Sequence, residues 1–193
     1  MATADLYRLA SLSSWIALVA LVLSGIALAL FFGGAGQFWG PVNDGFLVVT
    51  AIALIPAVVA VSRIVGDGAA PWTGPLTIAT IAGLALIAIG QTLLIVGRLS
   101  LDGSYVTGGI GVLPFLAWIV FVAVLALGRG ILPASLGWSA VATIALIVVM
   151  SLVAVVTQGP PLWAAGVALV IVLGAWIAGL ATTFGSAATA GAA

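Results

Sequence analysis

Gln37-Phe38-Trp39-Gly40-Pro41-Val42-Asn43-Asp44-Gly45 lies between two long apolar runs, one from about Leu12 to Phe32 and one from about Asn43 to Ser62. The stretch has the marks of a helix entrance. Pro41 suits the first turn of a helix, where its missing N–H has no partner to lose. Asp44 is the one acidic residue with no basic residue close to it in sequence. A carboxylate near a helix start is favoured by the unpaired N–H groups and by the helix dipole. Read this way, the stretch opens the second of a series of membrane-spanning helices. The rest of the chain repeats the same alternation of apolar runs and short polar turns.

Composition sets the solvent. Of 193 residues, 65% are hydrophobic and 4% charged, and the mean hydropathy is +1.46. A soluble domain carries about 25% charged residues, so the medium for this chain is lipid. The basic residues are Arg8, Arg63, Arg98 and Arg129, and the acidic ones are Asp5, Asp44, Asp67 and Asp102. A net charge of zero leaves no footprint for nucleic acid. No polybasic cluster marks anionic lipid recognition.

What is missing excludes whole chemistries. The chain has no Lys, Glu, His or Cys. Haem, zinc and iron–sulfur groups lack their usual side-chain ligands, and no cofactor or metal is expected. A Schiff base and a thiol relay are excluded for the same reason. For acid–base chemistry only the Asp residues, Tyr7 and Tyr105 remain, so no catalytic residue is assigned.

A spanning helix needs about 20 apolar residues. The runs predict six, at approximately 12–32, 43–62, 75–97, 111–127, 133–156 and 162–184. The expected fold is all-α: a polytopic transmembrane bundle with short loops, forming one domain over 1–193. A signal peptide competes for the first run, but its apolar core spans about 7–15 residues. The longer run here is read as a retained helix.

Within the spans a few residues stand out. Pro56 removes the bond to the Ile52 carbonyl and is expected to kink its helix, as a fixed bend or as a hinge. Gly83, Gly90 and Gly97 recur every seven residues and so share a helix face. Small residues on one face let a neighbouring helix approach closely in lipid, or line a path for a substrate. Gln91 is an amide within a span, where it bonds a neighbouring helix or lines a polar cavity. Gly111-Val112-Leu113-Pro114 and Gly130-Ile131-Leu132-Pro133 read as one helix-start pattern used twice.

With six spans, Arg8, Arg63 and Arg129 fall on one side and Arg98 on the other. This predicts both termini in the cytoplasm. Asp44 and Arg98 then reach the same, outer surface. They are expected to pair, as a clasp between helices or as the centre of a polar site with Asn43 and Gln91. Three local pairs, Asp5 with Arg8, Arg63 with Asp67 and Arg98 with Asp102, are expected at helix ends.

Phe38-Trp39-Gly40-Pro41-Val42-Asn43-Asp44, Pro56, Gln91, Gly97 and Gly130-Ile131-Leu132-Pro133 together resemble a family of small bacterial multi-pass integral membrane proteins of unknown function. The resemblance implies a bacterial inner-membrane location and no activity. Three functions compete. The first is a non-catalytic accessory or interaction protein, in contact with membrane lipids and a membrane protein partner or a second copy. The second is a small transporter or channel, which requires Ser24, Thr50, Thr80, Gln91 and Thr143 to converge. The third is an enzyme acting on lipid at the outer interface, through Asp44, Asn43 and Arg98.

Overall fold

The computed structural model describes residues 3–66, 71–157 and 162–190. Among the described residues there are six α-helices and no strand. They are α1 (Thr3–Phe32), α2 (Trp39–Val65), α3 (Thr73–Ile95), α4 (Leu101–Ala123), α5 (Ala134–Thr157) and α6 (Leu162–Ala190). A π-helical turn, Val124–Gly128, extends α4. Five of these helices are long and apolar enough to cross a bilayer, and α5 carries a shorter apolar stretch, Ala134–Met150. The protein is a multi-pass membrane bundle. Its outer surface is as apolar as its interior, with Leu12, Ile52, Ile78, Ile89, Leu113 and Val148 all exposed, as lipid-facing helices require.

Each helix packs on its neighbours in sequence, and α6 returns to α1 and closes the ring. The α1–α6 contact is antiparallel. The Ser11 hydroxyl donates to the Ala181 carbonyl at 2.8 Å, and Tyr7 stacks on Phe184 at 6.2 Å. Further along, Leu18 faces Gly174 and Val170 faces Gly25. The start of α1 and the end of α6 therefore share one end of the bundle. The middle of the ring is filled. Trp118 of α4 meets Trp176 of α6 edge to face at 5.4 Å, and Phe115 lies 6.1 Å from Trp176. Val58, Ile119, Leu136 and Leu180 are fully buried around them.

The α3–α4 seam is built on glycine. A Cβ on Gly83 would run into the Gly111 carbonyl oxygen and sit 2.6 Å from Pro114 Cγ. A Cβ on Gly111 would lie 2.6 Å from the Gly83 carbonyl oxygen, and one on Gly90 would lie 2.5 Å from Thr107 Oγ1. Gly97 does not belong to this face, contrary to its seven-residue spacing. It follows the end of α3 with φ +69° and open space beside it. Its N–H donates to the Leu94 carbonyl and that of Arg98 to the Leu93 carbonyl, so Gly97 ends the helix in a left-handed turn.

Four of the helices, α1, α2, α4 and α6, are longer than the apolar runs. α1 begins at Thr3 instead of near Leu12, and α6 continues to Ala190. α4 begins at Leu101 instead of Gly111. The Ser100 hydroxyl caps it by accepting from the Gly103 N–H at 3.2 Å, and Asp102 in its first turn favours that end. Pro114 consequently lies inside α4 and is no helix start, whereas Pro133 does precede α5. α2 runs unbroken through Pro56. Asp67, and with it the Arg63–Asp67 pairing, lies outside the described residues, as does the turn from Gln158 to Pro161.

Candidate functional site

Because α2 starts at Trp39, Asn43 and Asp44 sit a full turn inside it, not at its first residue. Asn43 is buried against α1. Its side-chain oxygen accepts from the Ser24 hydroxyl at 2.6 Å, and its amide donates to the Asp44 carboxylate at 3.1 Å. At 1.5 Å per residue, Ser24 is about 12 Å from the Phe32 end of α1, and Asn43 about 6 Å from the Trp39 end of α2. The chain Ser24–Asn43–Asp44 is thus a polar clasp between α1 and α2, below the end of the bundle. Interhelical hydrogen bonds of this kind average about 0.6 kcal/mol in a bilayer.

Arg98 takes no part in it. Among the described residues no ion pair joins Asp44 to Arg98, Asp5 to Arg8 or Arg98 to Asp102. The direct Asp44–Arg98 ion pair expected from the sequence is not formed. The expectation put Asp44 at the entrance of α2, whereas the helix begins at Trp39 and Asp44 accepts from Asn43, which is itself bonded to α1. Arg98 meanwhile follows the terminating Gly97 in the turn before α4.

Gln91 is half-buried, and its side-chain oxygen is buried without a partner. The hydroxyls of Ser24, Thr50, Thr80 and Thr143 are buried and bonded. Thr50 donates to the Phe46 carbonyl at 2.9 Å, and Thr143 to that of Ser139 at 2.8 Å. Thr80 donates to Leu76 at 2.7 Å and reaches across to the Pro114 carbonyl of α4 at 3.2 Å. Such bonds to the preceding turn are the usual fate of a helical hydroxyl. Thr80 also closes the glycine seam.

Open spaces lie on the flanks. A groove of about 570 Å³ runs between the π-turn end of α4 and α5, walled by Val120, Ala123, Val124, Leu127, Ile144 and Ala145. A second, of about 340 Å³, lies on the outer face of α1 and α2 beside Trp15, Val19, Leu23 and Phe46. Neither includes Ser24, Thr50, Thr80, Gln91 or Thr143. A third, at the junction of α2 and α3, contains Arg63. No sequence signal marked the α4–α5 groove, because its walls are ordinary lipid-compatible residues. The π-turn that shapes it leaves no trace in composition. π-turns recur at functional sites.

Compared with known protein families, curated proteins and solved structures, the chain matches none. The likeness to small bacterial multi-pass proteins therefore carries no further argument.

Proposed function

We propose that this chain is a non-catalytic membrane protein that acts by lateral contact, as an accessory or interaction subunit holding a partner's transmembrane helix in the α4–α5 groove. One observation carries the reading: the middle of the ring is filled by Trp118, Trp176 and Phe115, while the sizeable α4–α5 space opens sideways. A transporter needs polar groups converging near mid-bilayer. Here Thr50 and Thr143 bond their own helices. A lipid-directed enzyme needs a paired acid and base, and among the described residues the side-chain hydrogen bond to Asp44 comes from the Asn43 amide, not from a base.

The groove suits a helix. Ala123, Gly128 and Ala145 lie along it, and small residues permit the close backbone approach that drives association in lipid. A second copy of this chain is one such partner. The Arg distribution supports a cell-membrane orientation with both termini in the cytoplasm, since the terminal end of the bundle carries Arg8, Arg63 and Arg129.

The test is purification in mild detergent of the wild-type chain and of Ala145→Trp, which fills the groove. The expected result is a stoichiometric transmembrane partner, or a second copy, with wild type and its loss with the variant. Equal recovery from both proteins would contradict the proposal.

A further inference from the structure

The end of α2 and the start of α3 enclose a hollow unlike the two apolar grooves. It has a volume of about 460 Å³ and is walled by Ser62, Arg63, Thr73, Gly74, Thr77 and Ile78. Three features in its wall favour an anion. Arg63 supplies a full positive charge in the last turn of α2. The first turn of α3 is part of the wall, and its leading residue Trp72 gives no side-chain cap. Leu76 donates to the Trp72 carbonyl, and Pro75 has no N–H. The amides of Thr73 and Gly74 are the leading N–H groups of a 23-residue helix, where the dipole is positive. Thr73 is 94% buried, being 6% exposed, and its hydroxyl oxygen has no hydrogen-bond partner. A buried hydroxyl without a partner is costly and is explained if a ligand supplies one.

We propose that this hollow binds a phosphate group, held by the Arg63 guanidinium, the start of α3 and the Thr73 hydroxyl. Each part fits the chemistry. A guanidinium matches phosphate oxygens in a two-pronged geometry. A helix start presents N–H groups to an anion. Threonine adds one neutral donor. The surroundings fit a lipid headgroup as the source. The hollow lies at a helix junction, Trp72 beside it is exposed as an interfacial aromatic, and its wall continues down to the exposed Ile78, along which an acyl chain would run. Free phosphate offers the same group without the tails.

The test is a thermal-shift titration of the purified full chain in detergent with three probes: phosphatidylglycerol, a diacylglycerol with the same acyl chains, and inorganic phosphate. Phosphatidylglycerol is expected to raise the unfolding midpoint and diacylglycerol is not. Arg63→Gln is expected to weaken the phosphatidylglycerol response about tenfold, as loss of a charged hydrogen-bond donor does. Thr73→Val is expected to weaken it less, and Thr73→Ser to restore it. Val has the shape of Thr without the hydroxyl. If Thr73 were only structural, Thr73→Val would leave lipid affinity unchanged. A midpoint shift by inorganic phosphate that Arg63→Gln abolishes would assign the site to free phosphate. Equal responses to phosphatidylglycerol and diacylglycerol would overturn the proposal, as would wild-type affinity in both Arg63→Gln and Thr73→Val.

Discussion

Helix α4 meets α3 and α5 in the same solvent and does so in different ways. Toward α3, Gly83 and Gly111 bring the two backbones so close that neither position has room for a methyl group. Toward α5, the helix widens into the Val124–Gly128 π-turn and leaves a groove of about 570 Å³. Both sides are apolar, so hydrophobicity does not distinguish them. In lipid the tails are as apolar as leucine, and close packing has to come from shape and dispersion. The side chain absent at Gly83 and Gly111 decides the seam. Toward α5 the close approach is at Gly137, where a Cβ would lie 2.6 Å from Leu127 Cγ, and beside it the branched side chains of Val120, Val124 and Ile144 wall the open groove. One helix thereby packs closely on one flank and borders an open groove on the other.

The largest expected effect comes from filling the seam. Gly83→Leu places a branched side chain against the Gly111 backbone and the Pro114 ring, neither of which can rotate aside. It is expected to cost about 3 kcal/mol or more, read as a large fall in unfolding midpoint in detergent. An unchanged midpoint would mean that the seam is open. Gly90→Leu meets the side chain of Thr107, which can turn away. Its expected cost is lower, about 1–3 kcal/mol. The rank order of the two variants is the sharper result, because it separates backbone contact from side-chain contact. A greater loss for Gly90→Leu would reverse the account of the seam.

On the other flank, Ala145→Leu fills space in the groove. Its expected effect on the isolated chain is within about 0.5 kcal/mol, by the same thermal assay. A loss comparable to that of Gly83→Leu would erase the difference between the two flanks. The smallest effect concerns the polar residues. With no ion pair between them, Asp44→Asn and Arg98→Gln are expected to add within about 0.3–0.5 kcal/mol. A double-mutant cycle with a larger coupling would restore the pair that their sequence positions suggested.

Much of the fold was legible because lipid demands long apolar helices, and the runs around Gln37–Gly45 show that alternation plainly. The helix ends were less legible. Residues 101–110 carry Asp102, Ser104, Tyr105, Thr107 and two adjacent glycines, Gly108 and Gly109, a composition that reads as loop. Yet Ser100 caps a helix there, and it carries Gly108 and Gly109 with open space beside them. The same extension turned Pro114 from a starter into an interior residue and made Gly111 the partner of Gly83. Gly83 and Gly90 announced their face by spacing. Gly97 had the same spacing and a different role, since a helix terminator and a packing glycine look alike in sequence. The Asp44–Arg98 expectation rested on where α2 begins, and the helix starts a turn earlier than the sequence suggested. The α1–α2 clasp needed the pairing of Ser24 with Asn43, a register that only the packed helices fix.

The account is tested most directly by what occupies the groove in native membranes. A photoreactive amino acid at Ala145, in the groove, is compared with one at Leu113, exposed on the lipid face of the same bundle. The account predicts a discrete protein adduct from Ala145, of partner or doubled mass, and lipid adducts alone from Leu113. Lipid adducts alone from both positions would contradict it.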